Sequence, residues 1–276
     1  MAKTVKAIVI SGHGTNCERE VAHACRLAGA DADIVHIAEL LAGRINLNDY
    51  HFLNLAGGFL DGDDLGSAKA GANRLLHATV VGRTADQTQT LAGQLKEFIA
   101  AGKLVMGVCN GFQLLVKMGL LPAIDGDFQQ TCSLTNNERG RFENRWSWLQ
   151  VDPASPCVYT RGLNGLYLPV RHGEGKFVTA SPKTLQQLED QHLTVMKYAD
   201  RDLHPTMKFP DNPNGSQNAI AGICDPTGRL FGLMPHPEAY THRTHHPRWT
   251  RETLPEEGMG LLLYRNAVNF IQKEQL

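Results

Sequence analysis

Short apolar runs alternate with amphipathic stretches along the first half of the chain. Runs of strand length cover Val5 to Ile10, Ala32 to Ile37 and His51 to Ala56. Between the first two runs, Glu18 to Ala28 carries apolar residues at helical spacing, and Gly29 follows as a stop signal. This strand–helix–strand order predicts a parallel sheet with right-handed crossovers.

The remaining pattern predicts further helices and a set of short strands. Predicted helices cover Ala68 to Val80, Gln87 to Ala101, Thr184 to Asp190 and Gly258 to Gln272. Predicted strands cover Leu104 to Val108, the two halves of Leu166 to Val178, Thr194 to Tyr198, Ile220 to Cys224 and Leu230 to Met234. The last two flank a turn and so predict a hairpin. We expect a single α/β domain over residues 1–276, with a mostly parallel sheet, helices on both faces and a small antiparallel section.

Composition narrows the classes of function. The chain has 276 residues and a net charge of −1, which implies no long-range field for nucleic acid or for an anionic membrane. No apolar stretch approaches membrane-spanning length. The six cysteines are scattered without C-x-x-C pairs, which argues against a zinc site or a disulfide framework and for reduced thiols. We therefore expect a cytoplasmic protein that binds no metal, nucleic acid or membrane.

The loop after the first strand contains two glycines, Gly12 and Gly14, that invite a dinucleotide-binding interpretation. The G-x-G-x-x-G pattern fails at its third glycine, where Cys17 stands, and the chain contains no G-x-x-x-x-G-K-[ST] motif. We therefore expect no nucleotide cofactor in this chain. Cys17 opens a predicted helix, which can activate a thiol, but it lacks a strand-to-helix elbow. A structural role is the better interpretation of Cys17.

The stretch around Cys109 has the pattern of a nucleophile elbow. The apolar run Leu104 to Val108 leads into the cysteine, Gly107 and Gly111 lie two residues to either side of it, and helical spacing follows. This is the cysteine counterpart of the G-x-S-x-G elbow. The positive end of the following helix favours thiolate over thiol. The alternative, a buried core cysteine after a strand, stays open on this stretch alone.

A candidate base lies near the C-terminus in the sequence MPHPE. His236 and Glu238 are two residues apart, so their side chains share a side in extended backbone. Pro235 and Pro237 favour that backbone and limit its slack. A histidine oriented by a carboxylate is the base half of a catalytic triad. Taken alone, the motif favours a structural histidine; the cysteine elbow upstream reverses that preference.

Backbone donors for an oxyanion are predicted at two places. Gly57 and Gly58 follow the third strand, where a glycine pair lets the backbone turn and direct an N–H group into a cleft. The amide of Asn110 follows the nucleophile at the start of its helix. One such donor contributes roughly 3 kcal/mol to lowering a barrier. Gln113, one helical turn after Cys109, faces the same side and is a candidate substrate contact, although a surface glutamine is nearly as good an interpretation.

Three other groups of residues each invite a functional interpretation that the sequence disfavours. His172, in the sequence RHGEG, competes for the role of base but lacks a carboxylate at productive spacing, so we expect structural hydrogen bonds. The basic and aromatic stretch from Ser133 to Val151 has no repeated basic stripe that would indicate nucleic acid. His242, His245 and His246 lie in a Pro-broken loop without acidic or cysteine ligands among them, which disfavours a metal site.

These motifs carry a family resemblance that covers nearly the whole chain. GVCNGFQLL resembles the elbow of class I glutamine amidotransferases, and the order of cysteine followed by His-x-Glu is that of the class. Together with GTNC, AGGF, RHGEG and MPHPE, it resembles the branch of glutaminase subunits of phosphoribosylformylglycinamidine synthase. The chain departs from that pattern at Ala56, Leu60, Asp61, Glu138 and Ala239. These departures leave the fine loop geometry and the partner interface open, but not the glycines or the triad.

The resemblance implies a class I amidotransferase fold and assigns roles to named residues. The implied catalytic residues are Cys109, His236 and Glu238, with Gly58 and Asn110 as oxyanion donors and Gln113, Asn136 and Phe142 in the substrate pocket. The implied reaction is hydrolysis of glutamine, with ammonia passed to an ATP-dependent formylglycinamidine ribonucleotide synthetase large subunit and room for a small accessory subunit. ATP and Mg²⁺ are then expected on that partner. A stand-alone cysteine hydrolase or peptidase, and a non-catalytic regulatory module, remain alternatives.

Overall fold

A computed structural model describes residues 4–81, 89–126 and 128–276 of the chain. The strands are β1 (Lys6–Ser11), β2 (Asp31–His36), β3 (Phe52–Leu55), β4 (Thr79–Val80), β5 (Gln89–Thr90), β6 (Leu104–Val108), β7 (Cys132–Thr135), β8 (Glu143–Val151), β9 (Gly165–His172), β10 (Lys176–Thr179), β11 (Met196–Ala199), β12 (Ile220–Cys224) and β13 (Leu230–Leu233). The α-helices are α1 (Glu18–Leu27), α2 (Ile37–Leu41), α3 (Lys69–His77), α4 (Leu91–Ala100), α5 (Asn110–Lys117), α6 (Pro182–Asp190) and α7 (Leu261–Glu274).

One nine-stranded sheet organises these elements in the order β2-β1-β3-β6-β13-β12-β11-β8-β9. Neighbours from β2 to β13 pair in parallel. From β13 to β9 the pairing is antiparallel, and it includes the β12–β13 hairpin. The predicted parallel sheet with an antiparallel C-terminal section is confirmed, and the antiparallel section continues the same sheet.

The helices cover the parallel part of the sheet in two groups. Helix α1 packs against α7, whereas α3 packs against both α4 and α5. Every residue of β3 and β6 is buried, as expected where both faces of parallel strands are covered. The parallel strands β1, β3, β6 and β13 therefore end at one common edge, where ligands bind in open α/β sheets.

Several element boundaries differ from the sequence prediction, and those of α2, α3 and α4 have a clear physical reason. The second strand ends at His36, and α2 begins at Ile37 because the His36 ring accepts a hydrogen bond from the amide of Ala38. Helix α3 ends at His77 rather than Val80 because Thr79–Val80 pairs with Gln89–Thr90. The predicted start of the next helix at residue 87 lies outside the described residues. Helix α4 begins at Leu91, with Thr90 as its cap.

Candidate active site

Cys109 occupies the sharp turn between β6 and α5. Its backbone has φ +53° and ψ −106°, a left-handed conformation that costs a non-glycine residue about 1–3 kcal/mol. Two hydrogen bonds hold this turn. The Cys109 amide donates to the Leu233 carbonyl at 2.8 Å, and the Cys109 carbonyl accepts from the Gln113 amide at 3.0 Å. Strained backbone conformations of this kind are concentrated at functional sites. Here the conformation directs the thiol away from the strand.

Two glycines allow the elbow to close onto the sheet. A Cβ atom on Gly111 would overlap the backbone of Leu55 in β3, and one on Gly107 would lie 2.5 Å from the Gly111 carbonyl oxygen. Because these neighbours are backbone atoms, a side chain at either position requires the helix to move away from the strands. The glycines that the elbow pattern predicted are therefore explained by close approach of α5 to β3 and β6.

His236 and Glu238 follow β13, the strand beside β6. The His236 amide donates to the Pro169 carbonyl at 2.8 Å, which fixes the backbone of the motif. The Nδ1 atom of His236 lies 2.5 Å from Oε1 of Glu238, and the two side chains are 3% and 0% exposed. Glu238 thus holds one ring nitrogen, and Nε2 remains for another partner.

The imidazole of His236 and the thiol of Cys109 line the same cavity. Burial lowers the pKa of His236, but the charge of Glu238 and the proximity of the Cys109 thiol outweigh burial and raise the pKa well above its usual value. The Cys109 thiol also approaches the Arg171 carbonyl oxygen, at 3.7 Å. The cysteine and the histidine that the sequence analysis paired, far apart along the chain, therefore meet in one pocket with Glu238 behind the ring.

Both reactive side chains line a cavity of about 380 Å³. Its volume lies within the range of pockets that bind small molecules. Gly58, Gln113 and Phe142 also line it. Residues that the sequence analysis did not predict complete the wall. They are Asn16, Phe59, Asp63, Ser67, Arg171, Gly173 and Glu174, together with Cys17 and His172, for which it had favoured structural roles.

The Gly57–Gly58 turn is held against the loop after β1. The Gly57 carbonyl accepts from the amides of Asn16 and Cys17 at 3.1 and 3.2 Å, and the Phe59 amide donates to the Gly14 carbonyl at 2.7 Å. These flanking hydrogen bonds form the β-bridge between Thr15 and Gly58, and Gly58 itself lines the cavity. Gly58 has φ +140°, a conformation essentially restricted to glycine.

The side chain of Asn110 connects this turn to the elbow helix. Its Oδ1 accepts from the Leu60 amide at 3.0 Å, and its Nδ2 donates to Oδ1 of Asp63 at 3.3 Å and to Oε1 of Gln113 at 3.0 Å. The backbone amide of Asn110 opens α5, where helix N–H groups have no intrahelical acceptor. Both predicted oxyanion donors thus belong to segments that Asn110 ties together beside Cys109.

Gln113 lines the cavity, but both ends of its side-chain amide form hydrogen bonds within the protein. Its Nε2 donates to the Glu174 carbonyl at 2.6 Å, and its Oε1 accepts from Asn110. The side chain therefore connects the elbow helix to the loop after β9 and also forms part of the cavity wall. Phe142 is 54% exposed and lines the cavity mouth.

Asn136 does not reach the cavity. It is exposed and lies outside the residues that line the pocket, so its predicted place in the pocket wall needs correction. The neighbouring Asn137 is the buried one, since its Nδ2 donates to the His172 carbonyl at 2.8 Å and its Oδ1 accepts from the Gly175 amide at 3.0 Å. The chain turns by one residue after β7, which ends at Thr135, and directs Asn137 inward instead.

His172 has the structural role that the sequence favoured. Its Nδ1 lies 3.2 Å from Oδ1 of Asn137, and its Nε2 lies 3.5 Å from Nδ2 of Asn214. Burial lowers the pKa of His172 to about 3, so the ring is neutral at physiological pH. Both ring nitrogens therefore face structural partners, and His236 is the histidine available to the thiol.

Cys17 departs from the structural interpretation made from sequence. Its Sγ lies 3.9 Å from Nδ1 of His236, and the residue lines the cavity. Burial raises the pKa of the Cys17 thiol. The position of Cys17 in the sequence, after β1, could have indicated that it lies near the site. Strands β1 and β6 are parallel, so the segments that follow them lie at the same edge of the sheet.

The three histidines of the loop after the HPE motif have separate surroundings. His246 is buried against Trp146 and Tyr240, the His242 Nδ1 lies 2.8 Å from Oγ1 of Thr244, and His245 accepts from a backbone amide. Within residues 4–81, 89–126 and 128–276, the groups with metal-ligand spacing do not include these histidines.

Comparisons with known proteins identify the family of this chain. The family model for the CobB/CobQ-like glutamine amidotransferase domain matches residues 4–271. The phosphoribosylformylglycinamidine synthase subunit PurQ of Dehalococcoides mccartyi is 42% identical over 269 residues, which are 98% of this chain and 98% of that protein. The subunit PurQ of Methanococcus maripaludis strain S2 is 39% identical over 286 residues, covering 99% of this chain and 100% of that protein.

A solved structure gives the same result in three dimensions. The structure of PurLQS from Thermotoga maritima contains a chain that matches with a TM-score of 0.68 and 25% identity, covering 98% of this chain and 100% of that one. A family model that spans almost all of the chain and full-length relatives near 40% identity point to one family. The chain belongs to the glutamine amidotransferase family, in the group of the PurQ subunits of phosphoribosylformylglycinamidine synthase.

Proposed function

We propose that this chain is the glutaminase subunit of a phosphoribosylformylglycinamidine synthase and releases ammonia from glutamine through Cys109, His236 and Glu238. The observation that carries the proposal is the buried imidazole of His236, which Glu238 holds through Nδ1 and which lines one cavity together with the strained Cys109. A nucleophile, a base and a group that orients the base are the complete set for acyl transfer. The family supplies the substrate, glutamine.

The reaction follows from these positions. Nε2 of His236 takes the thiol proton, and the Cys109 sulfur attacks the side-chain amide carbon of glutamine. The amides of Gly58 and Asn110 stabilise the oxyanion that forms. His236 returns the proton to the leaving nitrogen, which departs as ammonia and leaves a glutamyl thioester. Water, deprotonated by His236, then hydrolyses the thioester to glutamate and restores the thiol.

The ammonia requires an acceptor on another chain. Free ammonia in neutral water is protonated and lost as a nucleophile, and this chain contains no nucleotide-binding motif with which to activate an acceptor. We propose that the partner is the ATP-dependent large subunit that makes formylglycinamidine ribonucleotide, with or without a small accessory subunit. ATP and Mg²⁺ belong to that partner, and the triad itself uses no cofactor.

The place of action follows from the same proposal. Among the described helices, none combines the length and the apolar character that crossing a bilayer requires. We propose that the chain works in the cytoplasm, where its synthetase partner finds ATP.

A glutaminase assay with and without the synthetase partner tests the proposal. We expect glutamate release that rises when the partner is added. Peptide cleavage without glutaminase activity would instead support a stand-alone hydrolase. Tight partner binding with neither activity would support a regulatory module.

The variant Cys109→Ala separates glutamine hydrolysis from synthesis. In the complex, we expect the variant to lose glutamine-dependent synthesis and to keep synthesis from added ammonium salt, because the synthetase site is on the other chain. Equal loss of both activities would contradict a purely glutaminase role. Cys132→Ser, at a buried thiol away from the cavity, serves as the matched control and should keep both.

A further inference from the structure

Cys17, His236 and Glu238 form a compact cluster of three metal-ligating side chains. Their ligand atoms all lie within 4.8 Å of one another, and all three residues are buried. Sequence spacing cannot reveal the cluster, because Cys17 comes from the start of α1 and the other two residues follow β13. The catalytic mechanism uses His236 and Glu238 but gives Cys17 no role.

We propose that these three side chains form an inhibitory binding site for Zn²⁺. The inhibitory effect rests on the proposed glutaminase function, whereas metal binding itself requires no catalysis. A thiolate, an imidazole and a carboxylate are the donor types that zinc prefers in proteins. A buried site of this composition is also electrically balanced, because the two anionic ligands offset the charge of the ion.

The distances fit a tetrahedral zinc ion after one small adjustment. Zn–S and Zn–N bonds of about 2.3 and 2.1 Å place sulfur and nitrogen roughly 3.6 Å apart in a tetrahedron. Cys17 Sγ and His236 Nδ1 lie 3.9 Å apart. The Glu238 Oε1 atom, 2.5 Å from Nδ1, must retreat by somewhat less than an ångström as the metal replaces the proton between them.

A second observation also indicates that the cluster has unused capacity for a ligand. The Oε2 atom of Glu238 is buried without a hydrogen-bond partner among the described residues. Buried carboxylate oxygens are normally satisfied, and each exception calls for an explanation. A metal ion that binds both oxygens of the carboxylate would remove this deficit. Cys17 and His236 both line the cavity, so an ion can enter through the glutamine pocket and take water as its fourth ligand.

Zinc at this position would stop catalysis through the histidine tautomer. A neutral imidazole that binds a metal through Nδ1 carries its proton on Nε2. Nε2 then has no lone pair with which to accept the Cys109 proton, and Glu238 no longer orients the ring. On binding, the ring gives up the proton on Nδ1 and carries one on Nε2 instead, while the Cys17 thiol gives up its proton to solvent and a Zn–S bond forms in place of the S–H bond. No oxidation or reduction takes place.

Cobalt spectroscopy on the intact chain tests the ligand set without any activity. The Cys109→Ser variant removes the other thiol that faces His236. In that variant, Co²⁺ should give a thiolate-to-cobalt charge-transfer band at one ion per chain, and Zn²⁺ should displace it. Adding Cys17→Ser, or Cys17→Ala, should abolish the band, whereas adding Cys132→Ser should leave it. A band that is absent in Cys109→Ser and present in Cys17→Ser would overturn the proposal by assigning the metal to Cys109.

Zinc titration of glutaminase activity tests the inhibitory role. Each variant is compared with its own zinc-free rate in metal-buffered solution, so a change in basal activity does not enter. The zinc concentration for half inhibition should rise at least about tenfold in Cys17→Ser, because even indirect supports of a metal ligand are worth about 10–100-fold in affinity. An unchanged midpoint in folded Cys17→Ser and Cys17→Ala would refute the site. An enzyme without glutaminase activity that still shows the Cys17-dependent cobalt band would refute the proposed function and keep the metal site.

Discussion

The Gly58→Ala substitution tests the oxyanion hole most sharply, because the structure leaves no room for a side chain there. The added Cβ would lie 2.6 Å from the Asn16 amide nitrogen and 2.6 Å from the Gly14 carbonyl oxygen. Both contacts are backbone atoms, which cannot turn aside as the end of a side chain can. The φ of +140° adds conformational strain for alanine. We expect the turn to separate from the loop after β1 and to carry the Gly58 amide away from Cys109.

The magnitude follows from the loss of one oxyanion donor. Such a loss costs about 3 kcal/mol of barrier, or a factor of about 10²–10³ in kcat. The donor interacts with the charge that develops in the transition state, so KM for glutamine should change much less than kcat. Alkylation of Cys109 by iodoacetamide creates no oxyanion, so its rate should stay close to that of the wild type.

Glutamate release by the complex with its synthetase measures the effect, and thermal unfolding checks the fold. Gly162→Ala is the matched control: Gly162 also has a positive φ, of +76°, but an added Cβ meets no atom within 4 Å. We expect that control to retain full kcat. A Gly58→Ala enzyme with kcat within about threefold of the wild type, or with a raised KM and unchanged kcat, would refute the reasoning.

Three further substitutions test the support of the triad and the packing of the elbow. Glu238→Gln should lower kcat by about a thousandfold or more, since the base loses the carboxylate that fixes its tautomer, as stopped-flow turnover would show. Because the pKa of His236 is raised in the folded protein, its pairing with Glu238 stabilises the fold fully below the unfolded pKa of about 6.5, and this stabilisation is lost as the pH rises through the folded pKa. The difference in unfolding free energy between wild type and Glu238→Gln should therefore shrink from pH 6 towards alkaline pH. A difference that grows would contradict the assignment. Gly111→Ala should lower the free energy of unfolding by about 1–3 kcal/mol in urea titrations, against the usual gain from alanine in a helix. Asn137→Ala should cost about 1–3 kcal/mol of stability because it leaves buried partners unpaired, whereas Asn136→Ala should change it by less than about 0.5 kcal/mol; the reverse order would restore Asn136 to the pocket.

The elements that sequence predicted well are those specified by local patterns. The run from Leu104 to Val108, the glycines around Cys109 and the HPE motif each constrain their own backbone, and parallel strands bring their ends to one edge. That edge places Cys109 beside His236, which no local pattern alone can show. From the sequence we could therefore predict that these side chains lie close together, but not the distances between them or their hydrogen-bond partners.

What sequence missed depends on contacts between distant segments or on a single residue of register. Cys17 is 219 residues from His236 along the chain, and its thiol reaches the imidazole only through the bridge between the GTNC loop and the Gly57–Gly58 turn. Asn136 and Asn137 are chemically identical neighbours, and the turn after β7 decides which one is buried. Helix α2 is only five residues long and begins at a residue that is as apolar as a strand residue.

Covalent capture with a diazoketone analogue of glutamine tests the central claim most directly. The analogue carries its electrophilic carbon where the glutamine side-chain amide would stand, so the residue it labels is the nucleophile. Incubation with the complex followed by peptide mass spectrometry should find the adduct on Cys109, in step with the loss of glutaminase activity, and should find none in Cys109→Ala. An adduct on Cys17 with Cys109 unmodified, or complete resistance of the folded complex to the analogue, would contradict the account.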